Sequence, residues 1–143
     1  MRDRLIEVYT DGSFLARGSP GDFPADGHPA TISANGDGGG ELFITSNNQR
    51  FIYDLNTNIV SIIAGAAYQG AMLDGYFIAL DTATSTFFLS PLLNGSAAWD
   101  ATQFAQRTAA PDKWVAMQVA DSARQMWLFG DETTEVWYNA GTF

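Results

Sequence analysis

The sequence predicts an all-β protein, and three observations carry that reading. Apolar segments are only four to six residues long and rich in Ile, Val, Phe, Tyr and Trp; Asn, Asp, Gly and Ser separate them; and strand-turn-strand units recur along the chain. Composition agrees, because 46% apolar and 13% aromatic residues with only 16% charged describe a chain that folds rather than one that stays disordered. At 143 residues, a single domain is the expectation.

The elements follow in chain order. "LIEVYTDGSFLARG" (5–18) reads as a hairpin, and residues 1–29 as an outer hairpin and loop. "NGDGGGELF" (35–43) lacks the Lys-Ser/Thr ending of a phosphate loop and opens a strand, so it reads as a hairpin tip; its Asn35, Asp37 and Glu41 are one imperfect set of calcium ligands. Asn56-Thr57-Asn58 joins "FIYDL" to "IVSII", Asp74-Gly75 joins "AML" to "YFIAL", and Asn94-Gly95 after "FFLSPLL" reads as another hairpin turn. In "WDATQFAQRTAAPDK", Asp100 followed by Gln103 makes a capping box, so a two-turn helix is expected near residues 100–107, ended by Pro111. The aromatic-rich "MWLF" and "VWYN" then form a last hairpin with Asp131 and Glu132 in its turn.

The first hairpin lines up with "FIYDLNTNIVSIIAG" (51–65), and equivalent strands recur at "FFLS" and "VWYN". A period averaging about 40 to 45 residues with about four strands per unit is the size of a propeller blade. The expected fold is therefore a partial β-propeller of about three four-stranded antiparallel blades, covering 30–69, 70–113 with its helical insertion, and an incomplete 114–143. An ordinary β-sandwich with accidental self-similarity accounts for the same period. "LFI", "YFIAL" and "MWLF", apolar on both faces, are expected to lie between neighbouring blades.

Charge and composition exclude several function classes. Sixteen acids against seven bases give a net charge of -9, with no basic stretch to neutralise a row of phosphates, so tight nucleic-acid binding is not expected. With no cysteine and one histidine, His28, neither disulfides nor thiolate or imidazole metal sites are expected. No apolar run is long enough to span a membrane as a helix, and the opening residues do not form a signal peptide. Asp131, Glu132 and Glu135 invite comparison with an acid/base set, but turn carboxylates are common for solvation alone. Trp127 and Trp137 read as packing between blades more readily than as stacking platforms.

The stretch 98–141 resembles the packaged-DNA stabilisation, or tail-hub, family of short-tailed bacteriophages. The matching residues are Trp99 and Asp100, Phe104 and Ala105, Pro111 and Asp112, Phe129 and Gly130, then Thr133, Thr134, Glu135, Val136, Trp137 and Tyr138, and Gly141. "FIYDLNTN" and "LDGYFIAL" also look like the family's preceding blades. The resemblance implies a virion tail protein made in the host cytoplasm, structural rather than enzymatic, with no cofactor and no metal. It implies a section of a longer hub or nozzle protein that oligomerises as a ring, contacts other tail and connector proteins, and lets DNA pass or be retained without tight or sequence-specific binding. The alternative from another class is a carbohydrate-binding propeller module using Trp127, Trp137 and Tyr138.

Overall fold

The computed structural model describes residues 4–24, 26–107 and 111–138. They form thirteen strands in four antiparallel sheets. A hairpin sheet joins β1 (Leu5–Val8) to β2 (Phe14–Arg17). A first four-stranded meander follows, made of β3 (Thr31–Ala34), β4 (Glu41–Ser46), β5 (Gln49–Asp54) and β6 (Ile59–Ala66). The second holds β7 (Gln69–Leu73), β8 (Tyr76–Asp81), β9 (Thr86–Leu89) and β10 (Phe104–Gln106). A three-stranded sheet, β11 (Trp114–Ala120), β12 (Gln125–Gly130) and β13 (Thr134–Tyr138), completes the described chain. The sheets do not close into a ring among the described residues.

Turn chemistry sets the register. Asp74 and Gly75 both take positive φ (52° and 83°), the left-handed pair that lets a two-residue turn follow the twist of β7 and β8. Between β5 and β6, Asp54 accepts the amides of Asn56 and Thr57 (2.7 and 3.0 Å), and Asn58 takes φ 58°.

Each interface between consecutive sheets holds one apolar core. Phe23, Ile44, Phe51 and Tyr53, with Leu5, lie between the hairpin and the first meander. Phe43, Ile52, Phe77 and Ala79 lie between the two meanders. Ile78, Leu80, Phe87, Trp114, Met126 and Leu128 join the second meander to the three-stranded sheet. The leading strands adjoin one another, β3 beside β7 and β7 beside β11, as expected of sheets fanned about a common line. The strands apolar on both faces, β4, β8 and β12, are the second of each sheet, and both faces of β4 and β8 are covered. Trp127 on β12 stays 38% exposed, because the outward face of the three-stranded sheet carries no neighbour among the described residues.

Two expectations are corrected. No helix forms over 100–107, and the only helical piece among the described residues is a single 3-10 turn, Asp121–Ala123. Asp100 accepts the amide and hydroxyl of Thr102 (2.8 and 2.7 Å) and its carbonyl accepts the Gln103 amide (3.0 Å), which makes a tight side-chain-stabilised turn. Phe104, Ala105 and Gln106 then pair with Phe88, Phe87 and Thr86 as an outer strand. A helix this short has little stability of its own, so the ladder along β9 wins. Likewise, Asn94-Gly95 is no hairpin tip; it lies in the long connection between β9 and β10 that folds back over the first meander.

No helix among the described residues is long and apolar enough to cross a membrane.

Candidate functional site

The motif residues near the end of the chain converge on one side chain, Arg107. It follows β10, its amide bonded to the Ser85 carbonyl (3.1 Å), and its guanidinium group is almost wholly buried, with the side chain 3% exposed. Nη2 lies 2.9 Å from Asp112 Oδ1 and also bonds the Thr133 hydroxyl. Nε sits 3.3 Å from Glu135 Oε1, near enough for charge attraction but not aligned as a hydrogen bond. The other oxygen of Glu135 accepts the indole N–H of Trp137 (3.2 Å). Trp137 stands edge-on to Phe87 and Trp114, which ties the charges to the core.

Asp112 also builds the turn between β12 and β13. Its Oδ2 accepts the amides of Glu132 and Thr133 (2.9 and 3.0 Å), and Oδ1 accepts the Thr133 hydroxyl (3.0 Å). The Glu132 amide bond first, the Thr133 bonds and the Arg107 charge together hold the Asp112 carboxyl down at about 2, against a smaller opposing effect of burial. Gly130 is required here by close approach, since a Cβ at that position would collide with Asp112 Oδ2 and Arg107 Nη1. Nη1 is buried without a hydrogen-bond partner.

A second constellation joins the two meanders. The buried Glu41 accepts the Gly95 and Ser96 amides (2.6 and 3.1 Å) and the Asn35 side chain (3.0 Å), so both its oxygens are occupied. Trp99 donates its indole N–H to the Gly95 carbonyl (2.8 Å) and packs on Phe43. Arg50 lies under the rings of Phe88 and Trp99, 4.6 and 5.0 Å from their centroids, and bonds the Ala66 carbonyl. Burial pushes its guanidinium down to about 10, opposed by the Asp81 charge, so it stays a cation at neutral pH.

The structure thus brings Asp112, Gly130, Glu135 and Trp137 together, sets Trp99 against Phe43 and Arg50 of the first meander, and leaves Asp100 exposed in the turn before β10, lining a groove with Phe87 and Trp137. Phe104, Pro111, Thr134 and Tyr138 are exposed, and Gly141 lies outside the described residues. Sequence reasoning missed Arg107 and Arg50 and read Glu41 only as one of a set of calcium ligands, whereas its oxygens are taken by N–H donors. The only advance signal for the two arginines is scarcity, since the chain has just seven bases. Among the described residues, no three His, Asp or Glu side chains gather as a metal site. The carboxylates around Arg107 are held by amides, hydroxyls and a cation, an arrangement suited to locking two sheets together.

The family model described as Phage_stabilise, Bacteriophage P22 Gp10, beta-propeller, matches residues 20–143. The chain belongs to this phage stabilisation family. No curated protein matches the chain significantly. The Phage_stabilise match spans β3 to β13 and both constellations, whereas the β1–β2 hairpin precedes it. Membership makes this an all-β protein of a propeller family of phage DNA-stabilisation proteins, which are structural.

Proposed function

We propose that the chain is a section of a phage tail hub or nozzle, resident in the virion, whose sheets stack as blades in a ring-forming subunit that contacts neighbouring tail and connector proteins. In this reading duplex DNA passes or is retained beside an acidic surface that does not hold it. One observation carries the DNA part: four of the seven basic side chains are either paired with carboxylates or buried. Arg17 pairs with Glu7, Arg124 with Asp74, Arg107 with Asp112 and Glu135, and Arg50 is buried, while the net charge is -9. Affinity for a duplex rests on releasing counterions with free Lys and Arg, and this surface offers few. Fluorescence anisotropy with a labelled duplex at physiological salt should show no saturable binding; micromolar binding overturns the proposal.

The carbohydrate reading needs open aromatic faces. Trp137 is packed against Phe87 and Trp114, which leaves Trp127 and Tyr138 to support it.

A further inference from the structure

The fourth strand of the first meander, β6, ends its sheet on an open edge. It is the longest outer strand among the described residues, and its sequence "IVSIIAGA" holds neither a charge nor a proline. Sheet edges are commonly guarded by charged residues, proline or shortness. The other outer strands are so guarded: β2 carries Arg17, β13 carries Glu135, and β10 has three residues. The ladder phase of β6 follows from its neighbour. The Asn58 amide bonds the Asp54 carbonyl (2.8 Å) while the Leu55 amide turns the other way to Gly40 (2.9 Å), so Asp54 and Ile52 face β6. Their partners Ile59 and Ser61 spend their backbone groups on β5, which leaves those of Val60 and Ile62 at the open edge. Ile59 and Ile62 lie on opposite faces and are 58% and 68% exposed, so the sheets on either side stop short of β6 and leave room for a strand beside it. Beyond Ile63 the pairing slips and Gly65 takes φ 109°, so the regular part of the edge is 59–63.

We propose that the 59–63 edge is a two-fold self-association site, and that its occupant is the same strand of a second copy of this chain. The stretch Ile59, Val60, Ser61, Ile62, Ile63 reads nearly alike in both directions. An antiparallel pair centred on Ser61 sets Ile59 of one copy against Ile63 of the other, Val60 against Ile62, and Ser61 against itself. The outward backbone groups of Val60 and Ile62 then meet each other as hydrogen-bonded pairs, and β-branched side chains flank one another across the seam. Self-complementarity of this kind is what a two-fold contact demands. Charge favours this edge as well: the chain carries -9, and a seam without ionisable side chains brings no like charges face to face. The pairing extends a sheet that already has its four strands. It is isologous, whereas a ring closes through head-to-tail contacts, so it is separate from the ring contacts of the proposed function. The seam is short, which puts it among weak interfaces and makes trapping the suitable readout.

The chain has no cysteine, so single cysteines read the register without background. Ser61→Cys places one thiol on each side of the axis, in a non-hydrogen-bonded pair with Cα atoms about 4.5 Å apart, a separation that a disulfide spans. With oxidised glutathione as the oxidant, Ser61→Cys should form the disulfide dimer about tenfold faster or more than Thr57→Cys, an exposed turn position off the axis. Ile62→Lys on the Ser61→Cys background charges an exposed position, brings two ammonium groups to the seam and should abolish that advantage. In the cysteine-free chain the Val60 and Ile62 amide signals should move with protein concentration. Equal rates for Ser61→Cys and Thr57→Cys overturn the proposal. An advantage that survives Ile62→Lys, or that Trp127→Asp removes instead, overturns it too, the latter by assigning association to the open face of the last sheet.

Discussion

A single, almost wholly buried arginine side chain holds two carboxylates and an exposed turn in place. Removing a buried cation leaves the carboxylates around it without compensation. Arg107→Met should lower stability, read as a lower urea midpoint at constant slope, because Asp112 and Glu135 lose their common cation. Asp112 adds a pH signature. Its carboxyl sits at about 2 in the folded chain against 3.8 unperturbed, a depressed acid. Its stabilisation is therefore complete above about pH 4 and drains away as pH falls towards 2. Urea titrations across that window should show stability falling with pH in the native chain and a shallower fall in Asp112→Asn.

At the scale of strands and turns, side chains reach across sheets to satisfy backbone groups. Gln69 donates to the Met117 carbonyl (2.6 Å) and accepts its amide (2.8 Å), so one residue of β7 closes the edge of β11. Gln69→Ala should leave both groups unpaired, cost about 1–3 kcal/mol, and speed hydrogen exchange of the Met117 amide before that of neighbouring amides. Much at this scale was legible in the sequence. The Asp74-Gly75 turn and the 56–58 turn announce themselves because their residues tolerate positive φ. The stretch 100–107 did not, since Asp100 serves a turn as readily as a helix, and only the partner strand β9 decides between them. The Arg107 cluster stayed hidden for a related reason: Glu135 is far from it in sequence, and no local pattern marks an ion pair closed by sheet packing. Asp112, Gly130, Glu135 and Trp137 were named in advance through the family motif, without their common partner.

For the molecule as a whole, the sheets are joined face to face and the last one presents Val115, Trp127 and Tyr138 outward. Open blade faces of this kind favour association, so light scattering over a dilution series should give a discrete oligomer, and a monomer throughout would contradict stacking between chains. Three of the contacts between sheets share a direction. Thr31 receives the amide of Gly70, Glu41 those of Gly95 and Ser96, and Gln69 grips Met117. In each case the side chain belongs to the earlier sheet and the backbone it holds to the later stretch. A ribosome releases the holder before the held: when Gly95 emerges, Glu41 has been waiting for more than fifty residues. In these three contacts the earlier sheet thus already carries the side chain on which the next stretch of backbone settles as it is made.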